Sequence, residues 1–180
     1  MLYFNETKVC CDMPEKVIVT ENDATALDLL TNADVTSIVV PEGTKKLRDC
    51  ALYYLEQLQS VTLPSTLESL GYRALGMSKI ERIFIPKSVK SLGEQCFASC
   101  SALKEVIFED GVQIQTLPTQ CFMSCTSLEE ITIPNSVKTI GNRPFQGCSN
   151  LKTIKIDNTR ENAPNGNWGV TPYPEIVYLR

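Results

Sequence analysis

One short template is written six times along the chain, as VTSIVVP from Val35, LQSVTLP from Leu58, IERIFIP from Ile80, LKEVIFE from Leu103, LEEITIP from Leu128 and LKTIKID from Leu151. Each copy reads apolar, two variable, apolar, variable, apolar, stop. The stops at Pro41, Pro64, Pro86, Glu109, Pro134 and Asp157 are 23, 22, 23, 25 and 23 residues apart. A period of this size marks a solenoid, in which each supersecondary unit stacks on its neighbours. The spacing of 22 comes from a residue missing between Leu75 and Ile80, and that of 25 from an insertion after Val112.

The second half of the unit repeats too, from SVKSLGEQCFASCSAL after Lys87 to SVKTIGNRPFQGCSNL after Asn135. Its apolar positions are Leu47, Leu70, Leu92, Leu117 and Ile140, then Leu52, Leu75, Phe97, Phe122 and Phe145. A strand of period two, a proline that stops it and a compact turn with one large apolar anchor make one coil. Burying one such side chain stabilises by roughly 1.5–3 kcal/mol, so a few per coil offset the ordering of the unit only when neighbours cover both sides. Caps are therefore expected, dividing the chain into an N-terminal cap at 1–34, repeats at 35–157 and a C-terminal cap at 158–180. In the first, Leu2–Thr7 and Val17–Thr20 read as strands and DATALDLL as a helix, with Ala24, Leu27 and Leu30 on one face after Asn22 or Asp23. In the last, Trp168 reads as a plug over the final coil, beside Ile176, Tyr178 and Leu179.

The pattern LxxVxIPxSVxxIGxxxFxxC, as in IERIFIPKSVKSLGEQCFASC and LEEITIPNSVKTIGNRPFQGC, closely resembles the BspA-like, or Treponema pallidum type, leucine-rich repeat from Val35 to about Asp157. The resemblance implies an α/β-type repeat solenoid: a curved, right-handed array of about five to six coils, with a parallel concave sheet and irregular convex turns. It also implies a cell-surface or secreted adhesin that binds host proteins or other cells, and no catalytic residues. Pro144 in place of a small residue, and CALYYLEQL without the aromatic and closing cysteine, depart from the motif and predict locally altered convex turns.

Composition narrows function by exclusion. Seventeen Lys and Arg against 21 Asp and Glu give a net charge of −4, with a pI of about 5.0, and that argues against a nucleic-acid footprint. The absence of histidine removes Ser-His-Asp, Cys-His and His-zinc sites together. No apolar run is long enough to span a membrane. The chain as given opens without a basic segment followed by an apolar one, so it reads either as cytoplasmic or as starting after processing. Asn5-Glu6-Thr7 fits the glycosylation pattern, which short sequences meet by chance.

Of the eight cysteines, Cys96 and Cys121 take the small-residue position filled elsewhere by Ala51 and Ala74, and Cys100, Cys125 and Cys148 close their coils. Stacking lines each set up in its own column, so they read as buried structural residues rather than as a four-thiolate zinc site. No cofactor or metal is implied. Cys10, Cys11 and Cys50 fall outside these columns and are the candidates for a disulfide homodimer if oxidised.

Strand alternation turns the variable positions outward. One column is Thr36, Gln59, Glu81, Lys104, Glu129 and Lys152, where Glu81, Lys104, Glu129 and Lys152 predict a cross-strand charge ladder. The next runs Ser37, Ser60, Arg82, Glu105, Glu130 and Thr153, and the third Val39, Thr62, Phe84, Ile107, Thr132 and Lys155. Phe84 and Ile107 side by side, ringed by Arg82, Glu105, Glu81, Lys104, Glu130 and Thr132, read either as the core of a protein- or glycan-binding patch or as a surface covered by a cap or a second copy. Three classes follow: a binding module, a structural spacer of the surface-layer or phage type, and a carbohydrate-active enzyme using the Glu105/Glu130 or Glu129/Glu130 pair. An open strand face lacks the enclosure that tunes a catalytic acid, so the enzyme ranks last.

Overall fold

The computed structural model describes residues 35–164 and 166–180 and the backbone of three short strands before them, β1 (Leu2–Tyr3), β2 (Lys8–Val9) and β3 (Lys16–Val17). Cys10, Cys11, the Asn5 sequon, the DATALDLL segment and most of the two expected N-terminal strands lie outside the described residues.

Every template copy forms a long strand: β4 (Ser37–Val39), β6 (Ser60–Thr62), β8 (Arg82–Ile85), β10 (Glu105–Phe108), β12 (Glu130–Ile133) and β14 (Thr153–Ile156). Each of the first five coils then carries a short strand: β5 (Lys46–Leu47), β7 (Ser69–Leu70), β9 (Ser91–Leu92), β11 (Thr116–Leu117) and β13 (Thr139–Ile140). All pairings between coils are parallel, and β15 (Glu175–Tyr178) extends the long-strand ladder beyond β14. The result is a β-solenoid of about six coils. No α-helix occurs among the described residues, because the return path is built from turns.

The inward positions make continuous apolar columns. Ile38, Val61, Ile83, Val106, Ile131 and Ile154 are buried in one, and Leu58, Ile80, Leu103, Leu128 and Leu151 in another. The aromatic anchors stack ring on ring: Phe97 on Phe122 at 5.2 Å, Phe122 on Phe145 at 5.5 Å and Phe145 on Trp168 at 6.0 Å between centroids. Trp168 is thus the buried end of this stack.

The return side carries two left-handed positions per coil. One column is Cys50, Arg73, Gln95, Gln120 and Arg143, with φ of 57, 50, 56, 52 and 47°, and the other is Tyr54, Met77, Ser99, Ser124 and Gly147. A non-glycine residue there costs about 1–2 kcal/mol. The cost is offset because the amide of each such position, from Cys50 to Arg143, and that of the anchor between them, bonds to a carbonyl of the next coil, as in Gln95 N–Thr119 O (3.1 Å), Phe97 N–Cys121 O (2.9 Å) and Ser99 N–Met123 O (2.6 Å). CALYYLEQL keeps the same turn, with Cys50 and Tyr54 left-handed and Leu52 N bonded to Ala74 O. Pro144 keeps it too, since its carbonyl still accepts from Phe122 N. The altered turns expected at these sites are not formed, because the turn is held by the neighbouring coil and not by the departing side chain.

Candidate functional site

The two irregular spacings set the shape of the long-strand face. β4 pairs with β6, β8 with β10 and β12 with β14, each at a shift of 23 residues. Pairing lapses between β6 and β8, where the spacing is 22, and between β10 and β12, where it is 25. At the second lapse the short strands β9 and β11 separate as well, as expected when two added residues shift both columns. Depressions lie at both places. One, of about 520 Å³, is lined by Ser37, Gln59, Ser60, Glu81, Arg82 and Phe84. The other, of about 790 Å³, includes Glu105, Ile107, Asp110, Glu130, Thr132 and Arg180 in its lining.

Between the depressions stands the β8–β10 pair, with Phe84 opposite Ile107. Phe84 is 47% exposed and Ile107 partly so; nothing among the described residues covers the phenylalanine. The charges around them are matched internally. Arg82 meets Glu105 at 2.6 Å, Lys104 meets Glu81 at 2.9 Å, Lys152 meets Glu129 at 2.8 Å and Lys155 meets Glu130 at 2.5 Å. The Lys152 hydrogen bond holds the Glu129 carboxyl below its ordinary range. The expected four-member ladder Glu81–Lys104–Glu129–Lys152 is therefore two separate pairs, because the lapse between β10 and β12 falls between Lys104 and Glu129. Glu105 and Glu130 each have their own cation, Arg82 and Lys155, and stand on strands that do not pair. Thr132 lies beside Lys155 at the far wall of the larger depression.

The closing cysteines have a defined task. The thiols of Cys100, Cys125 and Cys148 donate to the carbonyls of Leu75 (3.2 Å), Phe97 (3.2 Å) and Phe122 (3.0 Å) in the preceding coils. Burial pushes the Cys100 thiol up to about 11 and raises Cys96, Cys121 and Cys125 as well. Cys50 is half-buried and free.

Sequence reasoning missed a second unusual surface on the turn side, around Tyr53, Tyr54, Tyr72 and Arg73. The Arg73 guanidinium lies 5.6 Å from the Tyr53 ring centre and 5.1 Å from that of Tyr72. The available signal was tyrosines at positions that hold no aromatic residue in later coils.

The BspA-type leucine-rich-repeat family model matches residues 28–152 and 115–167 in six copies. Among solved structures, the chain is similar to the pneumococcal vaccine antigen PcpA, at 26% identity and a TM-score of 0.65 over 68% of this chain and 31% of that one. It is also similar to a leucine-rich-repeat protein of Eubacterium ventriosum (24%, TM-score 0.60, 77% and 44% of the two chains) and to the T. pallidum leucine-rich-repeat protein (20%, TM-score 0.53, 79% and 65%). The chain thus spans about a third of the length of PcpA and less than two thirds of the other two. No curated protein matches the sequence significantly.

Proposed function

Since the chain belongs to the BspA-type leucine-rich-repeat family, we propose that it is a non-enzymatic binding module of the adhesin type, which recognises a protein or glycan of a host or cell surface through its long-strand face, the concave face of such arrays. The observation that carries this reading is the exposed Phe84 beside Ile107, on a ridge between two depressions whose surrounding charges are already paired. An apolar centre inside a polar rim is the anatomy of a protein interface. Self-paired rim charges add orientation and little affinity. The description of PcpA as a vaccine antigen supports placing the module outside the cell or on its surface. In an oxidising medium, Cys50 is the described thiol available for a disulfide-linked homodimer; Cys10 and Cys11 are further candidates.

The test is a display of purified extracellular-matrix proteins and glycans probed with wild-type protein and with the Phe84→Ser/Ile107→Ser double variant. Wild type should bind at least one component, and the double variant should lose at least tenfold in affinity. Equal binding by the two refutes the assignment of the face, and no binding by either favours a structural spacer.

A further inference from the structure

We propose that the turn side of the first two coils is a second binding site, independent of the long-strand face, and that it takes an acidic sugar, with Arg73 receiving the carboxylate and Tyr54 and Tyr72 meeting the flat face of the pyranose ring.

The first support is the departure from the repeat. Tyr53 stands where later coils have Gly76, Ala98, Met123 and Gln146, and Tyr54 where they have Met77, Ser99, Ser124 and Gly147. Tyr54 holds φ of 65° with 49% of its surface exposed, and Tyr72 is 38% exposed. The φ of Tyr54 is that of its whole column, as at Met77, Ser99 and Ser124, so what sets this coil apart is the exposed aromatic side chain carried there. Neither ring is there to fill the core.

The second is the way Arg73 is held. Its guanidinium lies against two tyrosine rings, within the distance at which a cation and an aromatic face attract. Its Nε donates to Gln95 Oε1, which also accepts from the Tyr72 hydroxyl at 3.3 Å. Gln95 is oriented in turn by an amide chain, Gln95 Nε2 to Gln120 Oε1 (2.7 Å) and Gln120 Nε2 to Gln146 Oε1 (2.8 Å), which leaves its oxygen for Arg73. Tyr53 settles over Gly76, where a Cβ would lie 3.2 Å from the ring, and its hydroxyl reaches Met77 Sδ at 3.1 Å. The guanidinium is thus held by its Nε and by two rings, and its terminal nitrogens make no hydrogen bond among the described residues.

The third is charge. Arg73 makes no ion pair among the described residues, whereas Arg82, Lys104, Lys152 and Lys155 on the opposite face are all paired. Asp49 Oδ1 of the preceding coil accepts from the Tyr72 amide at 2.8 Å, and Asp49 makes no ion pair with Arg73. A guanidinium whose two terminal nitrogens have no hydrogen-bond or ion-pair partner among the described residues can accept a carboxylate in the forked, two-bond manner. The Tyr72 ring lies against it, and the exposed Tyr54 ring lies 6.2 Å from that of Tyr53, its second aromatic neighbour, an aromatic surface that suits a uronic or sialic acid ring better than the flexible side chain of an acidic peptide.

The decisive variants use residues the fold already accepts in the same columns. Arg73→Gln matches Gln95 and Gln120, and Tyr54→Ser matches Ser99 and Ser124, so both should fold, which thermal melting checks. Titration calorimetry compares oligogalacturonate, its neutral methyl ester and a Glu-rich decapeptide. Oligogalacturonate should bind wild type, lose at least tenfold in affinity with Arg73→Gln and about fivefold with Tyr54→Ser, and bind at least tenfold more tightly than the ester or the peptide. Absence of oligogalacturonate binding, unchanged affinity in either folded variant, or equal binding of the ester or the peptide overturns the proposal. Phe84→Ser/Ile107→Ser should leave this binding unchanged, which separates it from the long-strand site.

Discussion

Gly93→Ala tests whether coil spacing is set by backbone contact. A Cβ on Gly93 would lie 2.3 Å from Gly71 C, 2.4 Å from Gly71 O and 2.5 Å from Tyr72 N, all of them main-chain atoms of the preceding coil that cannot swing aside. Restoring ordinary contact takes a displacement of about 1 Å between coils. That shift would stretch the β7–β9 ladder, which pairs Ser69 with Ser91 and Leu70 with Leu92, and the Arg73 N–Glu94 O bond of 3.1 Å. About three hydrogen bonds at about 1 kcal/mol each, plus loosened apolar packing, give a loss of about 3–4 kcal/mol. Gly93 is not at positive φ, so alanine otherwise gains about 0.4–1 kcal/mol by restricting the unfolded chain. The net loss is about 2–3 kcal/mol, or a melting temperature lower by about 5–10 °C, at about 2–4 °C per kcal/mol in a protein of this size. Far-UV circular dichroism on heating reads it. Gly43→Ala, with nothing within 4 Å and φ of 95°, carries only the conformational cost of about 1–2 kcal/mol. A Gly93→Ala protein that melts at or above the wild-type temperature refutes the argument, because the entropic gain would then stand unopposed.

Phe122, sandwiched between Phe97 and Phe145, should cost about 3–5 kcal/mol as Phe122→Ala and only about 1–2 as Phe122→Leu, the residue type that Leu52 and Leu75 supply in the same column; urea titration distinguishes them, and no loss in Phe122→Leu would remove the stacking contribution. The Cys100 thiol, near 9 when unfolded and about 11 when folded, contributes stability that is complete below pH 9 and lost as pH rises from 9 through 11. Cys100→Ser should therefore flatten the decline of melting temperature above pH 9, and an unchanged slope would contradict the burial. Native labelling with a thiol reagent at pH 8 should modify Cys50 and spare Cys96, Cys100, Cys121, Cys125 and Cys148, as peptide mass spectrometry will show. Hydrogen exchange should be slower in the paired β8–β10 amides than in the β12 amides that face β10, and uniform protection would deny the lapse.

The coil was legible because its cause is local: period-two apolar residues, a proline stop and an aromatic anchor recur in register, so Ile83, Leu92 and Phe97 could be assigned to the core from their columns alone. Trp168 reads as a plug over the last coil because a lone tryptophan in a cap is usually packing, and the structure makes it the buried end of the aromatic stack. The spacings of 22 and 25 were visible too, but their consequence was not. Whether an added residue is absorbed in a turn or breaks a ladder depends on the neighbouring coil, and so the Glu81–Lys104–Glu129–Lys152 column was read as continuous when Lys104 and Glu129 face a gap. Tyr54 and Arg73 were passed over for a related reason. Left-handed backbone at a non-glycine residue leaves no local signal when the amide's partner is a carbonyl of the next coil. Phe84 and Ile107 were found because outward alternation needs only the strand itself; the depressions beside them required the stacking of coils.

The most direct test of the binding face places a benzoylphenylalanine cross-linker at position 84, or at Ser99 on the turn side as a control, and irradiates each protein with the same extracellular-matrix components. Adducts should form through position 84 and not through position 99. Adducts equal at both positions, or confined to position 99, would contradict the assignment of the long-strand face as the surface that meets the partner.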